Sequence, residues 1–86
     1  MEDFPQLKNT EVALLRADAL TGHVLDHNCI LAVNNAQSVF TIYNNFQSAL
    51  DEANSMVSTK VNIECVIYGI DKAVLQYLQS RNITRN

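Results

Sequence analysis

The segment from Val39 to Tyr68 constrains the fold more than any other part of the chain. It begins with a run of β-branched and aromatic residues, VFTIY, and it ends with a second strand-like run, VNIECVIY. Between these runs, apolar residues recur at the spacing of an amphipathic helix. The segment therefore predicts a strand, a helix and a second strand that together form much of the core.

The helix carries the clearest pattern in the sequence. Its apolar stripe repeats at intervals of three and four residues, and consists of Phe46, Ala49, Leu50, Ala53, Met56 and Val57. Asn44 or Asn45 can supply the N-cap carboxamide that accepts a hydrogen bond from a free backbone amide. The small alanine side chains at the centre of the stripe predict that the helix lies close to a sheet.

Further strands are predicted on both sides of this unit. Residues 11–17 favour a first strand, and residues 23–33 favour a returning strand that bends near Asp26 and Asn28. Residues 69–72 form a hairpin turn into a last strand over residues 73–78. Because residues 11–17 are also good helix formers, residues 11–33 are either two strands or contain a helical turn.

These elements predict a single α+β domain that spans residues 1–86, with a small mixed β-sheet and one amphipathic helix packed on one face, in the order ββ(β)αββ. The sheet is expected to be mixed because a strand–helix–strand crossover makes its two strands parallel, whereas hairpins add antiparallel strands. Residues 1–10 and 79–86 are expected to be loosely ordered tails. This packing pattern is similar to that of many small bacterial domains, and it contains no residue that is diagnostic of one family.

The charge of the chain excludes several kinds of partner. The net charge is −3, and the basic residues are scattered rather than clustered. Nucleic-acid binding and adhesion to anionic membranes are therefore not expected, because both require a basic surface. The chain has no apolar run of the roughly 20 residues that a transmembrane helix needs. The acidic, polar N-terminus does not resemble a secretory signal, which predicts a cytoplasmic protein with free thiols at Cys29 and Cys65.

One cluster of polar residues could carry chemistry. His23, Asp26, His27 and Cys29 lie within seven residues, and imidazole and thiolate groups are good zinc ligands. On a strand, however, His23 and His27 would lie about 13 Å apart, which is too far for both to bind one ion. The sequence contains no nucleophile motif and no glycine-rich phosphate loop. We therefore expect no enzyme activity, no catalytic residue, no cofactor and no identifiable small-molecule substrate.

The favoured hypothesis is a non-enzymatic protein-interaction or accessory module that acts through self-association or a protein partner. Both faces of the first strand carry apolar residues, with Val12 and Leu14 on one face and Ala13, Leu15 and Ala17 on the other. One helix can cover only one face of a sheet, so the other face is expected to meet a homo-oligomer contact or another protein. The alternatives are a small acidic inhibitor or immunity-type protein, and a metal-binding domain that uses His23, His27 and Cys29.

Overall fold

The structure is a computed structural model that describes residues 3–34 and 36–81. In this part of the chain it contains five strands, one α-helix and a short 3₁₀ turn at Ile70–Lys72. The strands are β1 (Val12–Asp18), β2 (Val24–Leu25), β3 (Phe40–Tyr43), β4 (Ile63–Tyr68) and β5 (Val74–Gln79), and the helix α1 is Phe46–Thr59. The α+β class and the order ββ(β)αββ are therefore confirmed. Asn35 and residues 82–86, which make up most of the predicted C-terminal tail, lie outside the described residues.

The strands form one sheet in which every hydrogen-bonded pair is antiparallel. Strand β1 lies at the centre, with β2 and β3 along one side and β4 along the other, and β5 pairs with the far side of β4. The expectation of parallel pairing was wrong for a topological reason. Strands β3 and β4 run in the same direction, as the crossover predicted, but β1 lies between them and pairs antiparallel with both.

The predicted strand over residues 23–33 is much shorter than expected. Only Val24 and Leu25 pair with β1 in a regular ladder, and a single bridge joins Leu25 to Leu31. The bend expected near Asp26 is present: the Asp26 carboxylate accepts hydrogen bonds from the amides of Asn28 and Ile30. These bonds close a turn and hold the amides of Asn28 and Ile30 within it. Because these two amides bond the carboxylate, they do not pair with a neighbouring strand, and β2 ends here.

Helix α1 packs on one face of the sheet, as its apolar stripe predicts. Asn45 is the N-cap, since its side-chain oxygen accepts a hydrogen bond from the Ser48 amide at 2.8 Å. Ala49 and Ala53 are fully buried, so the helix backbone lies close to the strands. Leu50 is only half-buried, because the close contact at the alanines leaves it at the side of the interface.

The core lies between α1 and the helix-facing side of the sheet. The strands contribute to it a compact set of buried side chains: Val12, Leu14, Leu25, Ile63, Cys65 and Ile67. Most of them alternate along β1 and β4 with residues of the opposite face, as the period of two in a strand requires. The opposite side, which α1 does not contact, is called the open face below. Within the described residues no helix is long and apolar enough to cross a bilayer.

Candidate functional site

The structure does not bring the histidines and cysteine of the predicted polar cluster together as metal ligands. His23 and His27 are exposed, whereas Cys29 is half-buried and packs against the core. Among the described residues, no group of three or more His, Cys, Asp or Glu side chains could hold a metal ion. Asp26 is the member of the cluster with a defined role, and that role is to organise the loop that follows β2.

The Asp26 carboxylate is the centre of a hydrogen-bond network in this loop. The residue is only 6 % exposed. One oxygen, Oδ1, accepts from the amides of Asn28 and Ile30, and Oδ2 accepts from Gln37 Nε2 at 2.8 Å. The bond from Gln37 contributes most to a lowered pKa of the Asp26 carboxyl, and the Ile30 amide adds to it, whereas burial acts in the opposite direction. The network therefore stabilises the ionised form of Asp26.

The remaining atoms of the Gln37 side chain extend the network. Its Nε2 also donates to the carbonyl of Leu31, and its Oε1 accepts from the amides of Val33 and Asn34. A single glutamine amide thus joins both halves of the connection between β2 and β3. Nothing in the sequence predicted these contacts, because they join residues that are brought together only by the turn at Asp26.

Replacing Asp26 with alanine is expected to remove a pH-dependent part of the stability. Because the folded pKa lies below the ordinary value of 3.8, the ionised carboxylate stabilises the fold above that pH. This contribution is lost as the pH falls through the lowered pKa. Thermal unfolding between about pH 6 and about pH 2.5 should show a steeper acid loss for the wild type than for Asp26→Ala.

The exposed helix residue Asp51 offers a matched control for that measurement. Asp51→Ala removes a carboxylate that has one hydrogen bond, from Gln47 in the same helix. Its unfolding curves should keep the acid loss that Asp26→Ala lacks. Equal acid slopes for the wild type and Asp26→Ala would contradict the role assigned to the network.

Arg16 is the largest charged side chain in the interior and is only 3 % exposed. Its Nε donates to the Asp26 carbonyl at 3.3 Å, and its terminal nitrogens donate to the Thr41 hydroxyl and the Val39 carbonyl. All these acceptors are uncharged. Through these bonds the guanidinium joins β1 to the start of β3 and to the Asp26 turn. It thereby links the two short strands β2 and β3, which lie on the same side of β1.

Burial keeps the Cys65 thiol protonated. Desolvation is the largest cause that raises its pKa to about 11, so the thiolate is scarce at neutral pH and the side chain behaves as a small apolar group. Both cysteines are free in the structure. Neither the position nor the protonation state of Cys65 favours a nucleophile.

The open face of the sheet exposes several large apolar side chains. Ile42 on β3 is 46 % exposed, and on β5 Val74 is 63 % exposed and Tyr77 is 49 % exposed. Val66 of β4 lies opposite Tyr77 in the strand register and is half-buried. The Tyr77 hydroxyl donates a hydrogen bond to Glu64, which raises the pKa of the phenol. We call Val66, Val74 and Tyr77 the β5 patch.

Phe4 covers another part of the open face. Its ring makes edge-on contacts with Phe40 of β3, at a centroid distance of 5.3 Å, and with Tyr68 of β4, at 5.6 Å. Since β1 lies between these two strands, the ring crosses over β1, where Ala13 is fully buried. Lys72 places its ammonium group 5.8 Å from the centre of the Phe4 ring. Within the part of the chain that the structure describes, the N-terminal segment thus shields one part of the open face, whereas Val74 and Tyr77 of the β5 patch stay exposed.

Comparisons with known proteins add no functional information. No protein-family model, no curated protein and no solved structure matches this chain. The functional interpretation therefore depends on the geometry of the described residues alone.

Proposed function

We propose that this protein is a small non-enzymatic interaction module in the cytoplasm, and that it acts by self-association through the β5 patch. One observation supports the proposal most strongly: Val74 and Tyr77 are about half exposed or more, on a sheet face that no helix of the described residues covers. Apolar side chains that lie side by side on an exposed surface are typical of protein contact sites.

The shape of the patch fits a protein contact better than a ligand pocket. Phe4 already covers the part of the open face above β1, and the β5 patch continues from there to the last strand of the sheet. Small-molecule sites are usually concave and enclose most of the ligand surface, whereas these residues lie along a strand. The inhibitor and metal-binding alternatives stay predictions from the sequence, and no contact in the structure favours either of them.

Two valine substitutions test the proposal. Val74→Ser removes an apolar side chain from the β5 patch, and burial of such a side chain contributes about 1.5–3 kcal/mol. We expect self-association to weaken about tenfold or more, as measured by light scattering over a series of protein concentrations.

The matched control is Val33→Ser, because Val33 is 80 % exposed and lies in the loop between β2 and β3. This variant should associate as the wild type does. If Val33→Ser weakens association as much as Val74→Ser, the β5 patch is not the contact surface. If the wild type stays monomeric at high micromolar concentration, the proposed function itself is wrong.

A further inference from the structure

Within residues 3–34 and 36–81, strand β5 is an edge of the sheet with no strand on its outer side. Its inner side pairs with β4, and it is the last strand in the sheet order. Its sequence, VLQYLQ, contains no charged residue and no proline. Natural proteins usually protect edge strands with lysines, prolines or bulges, because an unprotected edge can pair with another chain. The pairing of β5 with β4 has one irregularity, between Ile67 and Tyr68 of β4, which lies opposite the start of β5. A bulge at that position does not protect residues 76–79.

The hydrogen bonds of Ser80 show which backbone groups of β5 point outward. The Ser80 amide donates to the Ile63 carbonyl at 2.8 Å, and the Ile63 amide donates to Ser80 Oγ at 3.0 Å. In an antiparallel pair, hydrogen-bonded positions alternate along each strand. Leu78 and Gln76 therefore point their backbone groups toward β4. The amides and carbonyls of Tyr77 and Gln79 point away from the sheet.

The charges at the two ends of β5 favour a second copy of the same strand, in antiparallel orientation. Asp71 lies in the turn before β5, and Arg81 lies just beyond its end. Both side chains are exposed, and the ammonium group of Lys72, the other charge of this turn, lies 5.8 Å from the centre of the Phe4 ring. In an antiparallel pair, Asp71 of each copy comes close to Arg81 of the other, whereas parallel strands would bring like ends together.

We propose that two copies join through β5 in antiparallel orientation, so that their sheets become continuous. The interface is related by a two-fold axis, and the outward amides and carbonyls of Tyr77 and Gln79 bond the equivalent strand of the second copy. Val74 of each copy then lies beside Tyr77 of the other copy across the axis, as cross-strand neighbours do. This inference rests on the proposed function, because it names the partner and the geometry of the same surface.

Hydrogen exchange at single amides tests this geometry in the unmodified protein. At concentrations where the dimer predominates, the amides of Tyr77 and Gln79 should exchange at least about tenfold more slowly than in dilute solution. The amides of Gln76 and Leu78, which point toward β4, are the internal reference and should be protected at both concentrations. A dimer whose Tyr77 and Gln79 amides exchange freely would overturn the edge pairing but leave the proposed function intact. A monomer at all concentrations would overturn both.

A proline variant gives a second, independent readout. Gln79→Pro removes one outward N–H group but no hydrogen bond to β4, and proline is tolerated on the free side of an edge strand. We expect a folded monomer, with the circular dichroism spectrum of the wild type. A folded variant that still dimerises would overturn the edge pairing. If the variant does not fold, the exchange rates of the wild type decide the question.

Discussion

Replacing Arg16 with lysine is expected to destabilise the protein by about 2–4 kcal/mol, although the substitution keeps the charge. The guanidinium reaches the Asp26 carbonyl, the Val39 carbonyl and the Thr41 hydroxyl at the same time. A lysine ammonium group is a single point that cannot match this planar set of acceptors. It would remain buried with fewer hydrogen bonds, and a buried charge that loses its partners is costly. Chemical denaturation at neutral pH measures the loss directly.

Two comparisons separate the hydrogen bonds of Arg16 from its charge. Arg16→Met also removes the hydrogen bonds but buries no charge, so its cost should be smaller than that of Arg16→Lys. Arg81→Lys makes the same chemical change at an exposed position, and in dilute solution, where the protein is monomeric, it should change stability by less than about 0.5 kcal/mol. If Arg16→Lys were as stable as Arg81→Lys, the guanidinium would not be the link between β1, β3 and the Asp26 turn.

Leu14→Ala is expected to cost about 3–5 kcal/mol. Leu14 is 0 % exposed and lies at the centre of β1, in the core beneath α1. The strands on both sides of β1 limit collapse of the site, so the substitution should leave a cavity. Small domains have total stabilities of about 5–15 kcal/mol. The variant should therefore unfold at a much lower denaturant concentration, with an unchanged m-value.

Leu20 provides the matched control for Leu14, since it lies in the exposed turn after β1. Leu20→Ala should cost less than about 1 kcal/mol, because little apolar surface is lost from the interior. The loss of stability in Leu50→Ala should lie between the losses in Leu14→Ala and Leu20→Ala, because Leu50 is half-buried. An equal cost at Leu14 and Leu20 would contradict the position of the core.

The local elements of the fold could be predicted because their signals lie in short stretches of sequence. The period of Phe46–Val57 matched a helix, and the composition of Val39–Tyr43 matched a strand. The sheet order was harder to predict, because strand pairing depends on contacts between distant residues. The position of β1 between β3 and β4 is a property of the whole chain. The shortness of β2 could not be read from composition, since it depends on how the Asp26 carboxylate binds nearby amides.

The interaction surface was predictable only in outline. A single helix and apolar residues on both faces of β1 indicated that one face of the sheet would lack a cover. Within the described residues α1 lies on one face only, but Phe4 packs over β1 on the other face and Ala13 is buried there. The exposed apolar side chains of that face lie on β3 and β5 instead. Phe4 gave no sequence signal, because an aromatic residue in a polar leader is compatible with a loose tail. The role of Arg16 was not predicted, although its alternation with Val12 and Leu14 placed a charged residue on the same strand face as two core side chains.

Sedimentation equilibrium of the unmodified protein, from about 1 to about 500 µM, tests the proposed self-association most directly. We predict that the average mass rises with concentration toward about 19 kDa, twice the 9.6 kDa of one chain. Increasing salt should have only a modest effect, because most of the proposed contact is apolar side chains and backbone hydrogen bonds. A mass that stays at that of one chain across the whole range would contradict the proposal.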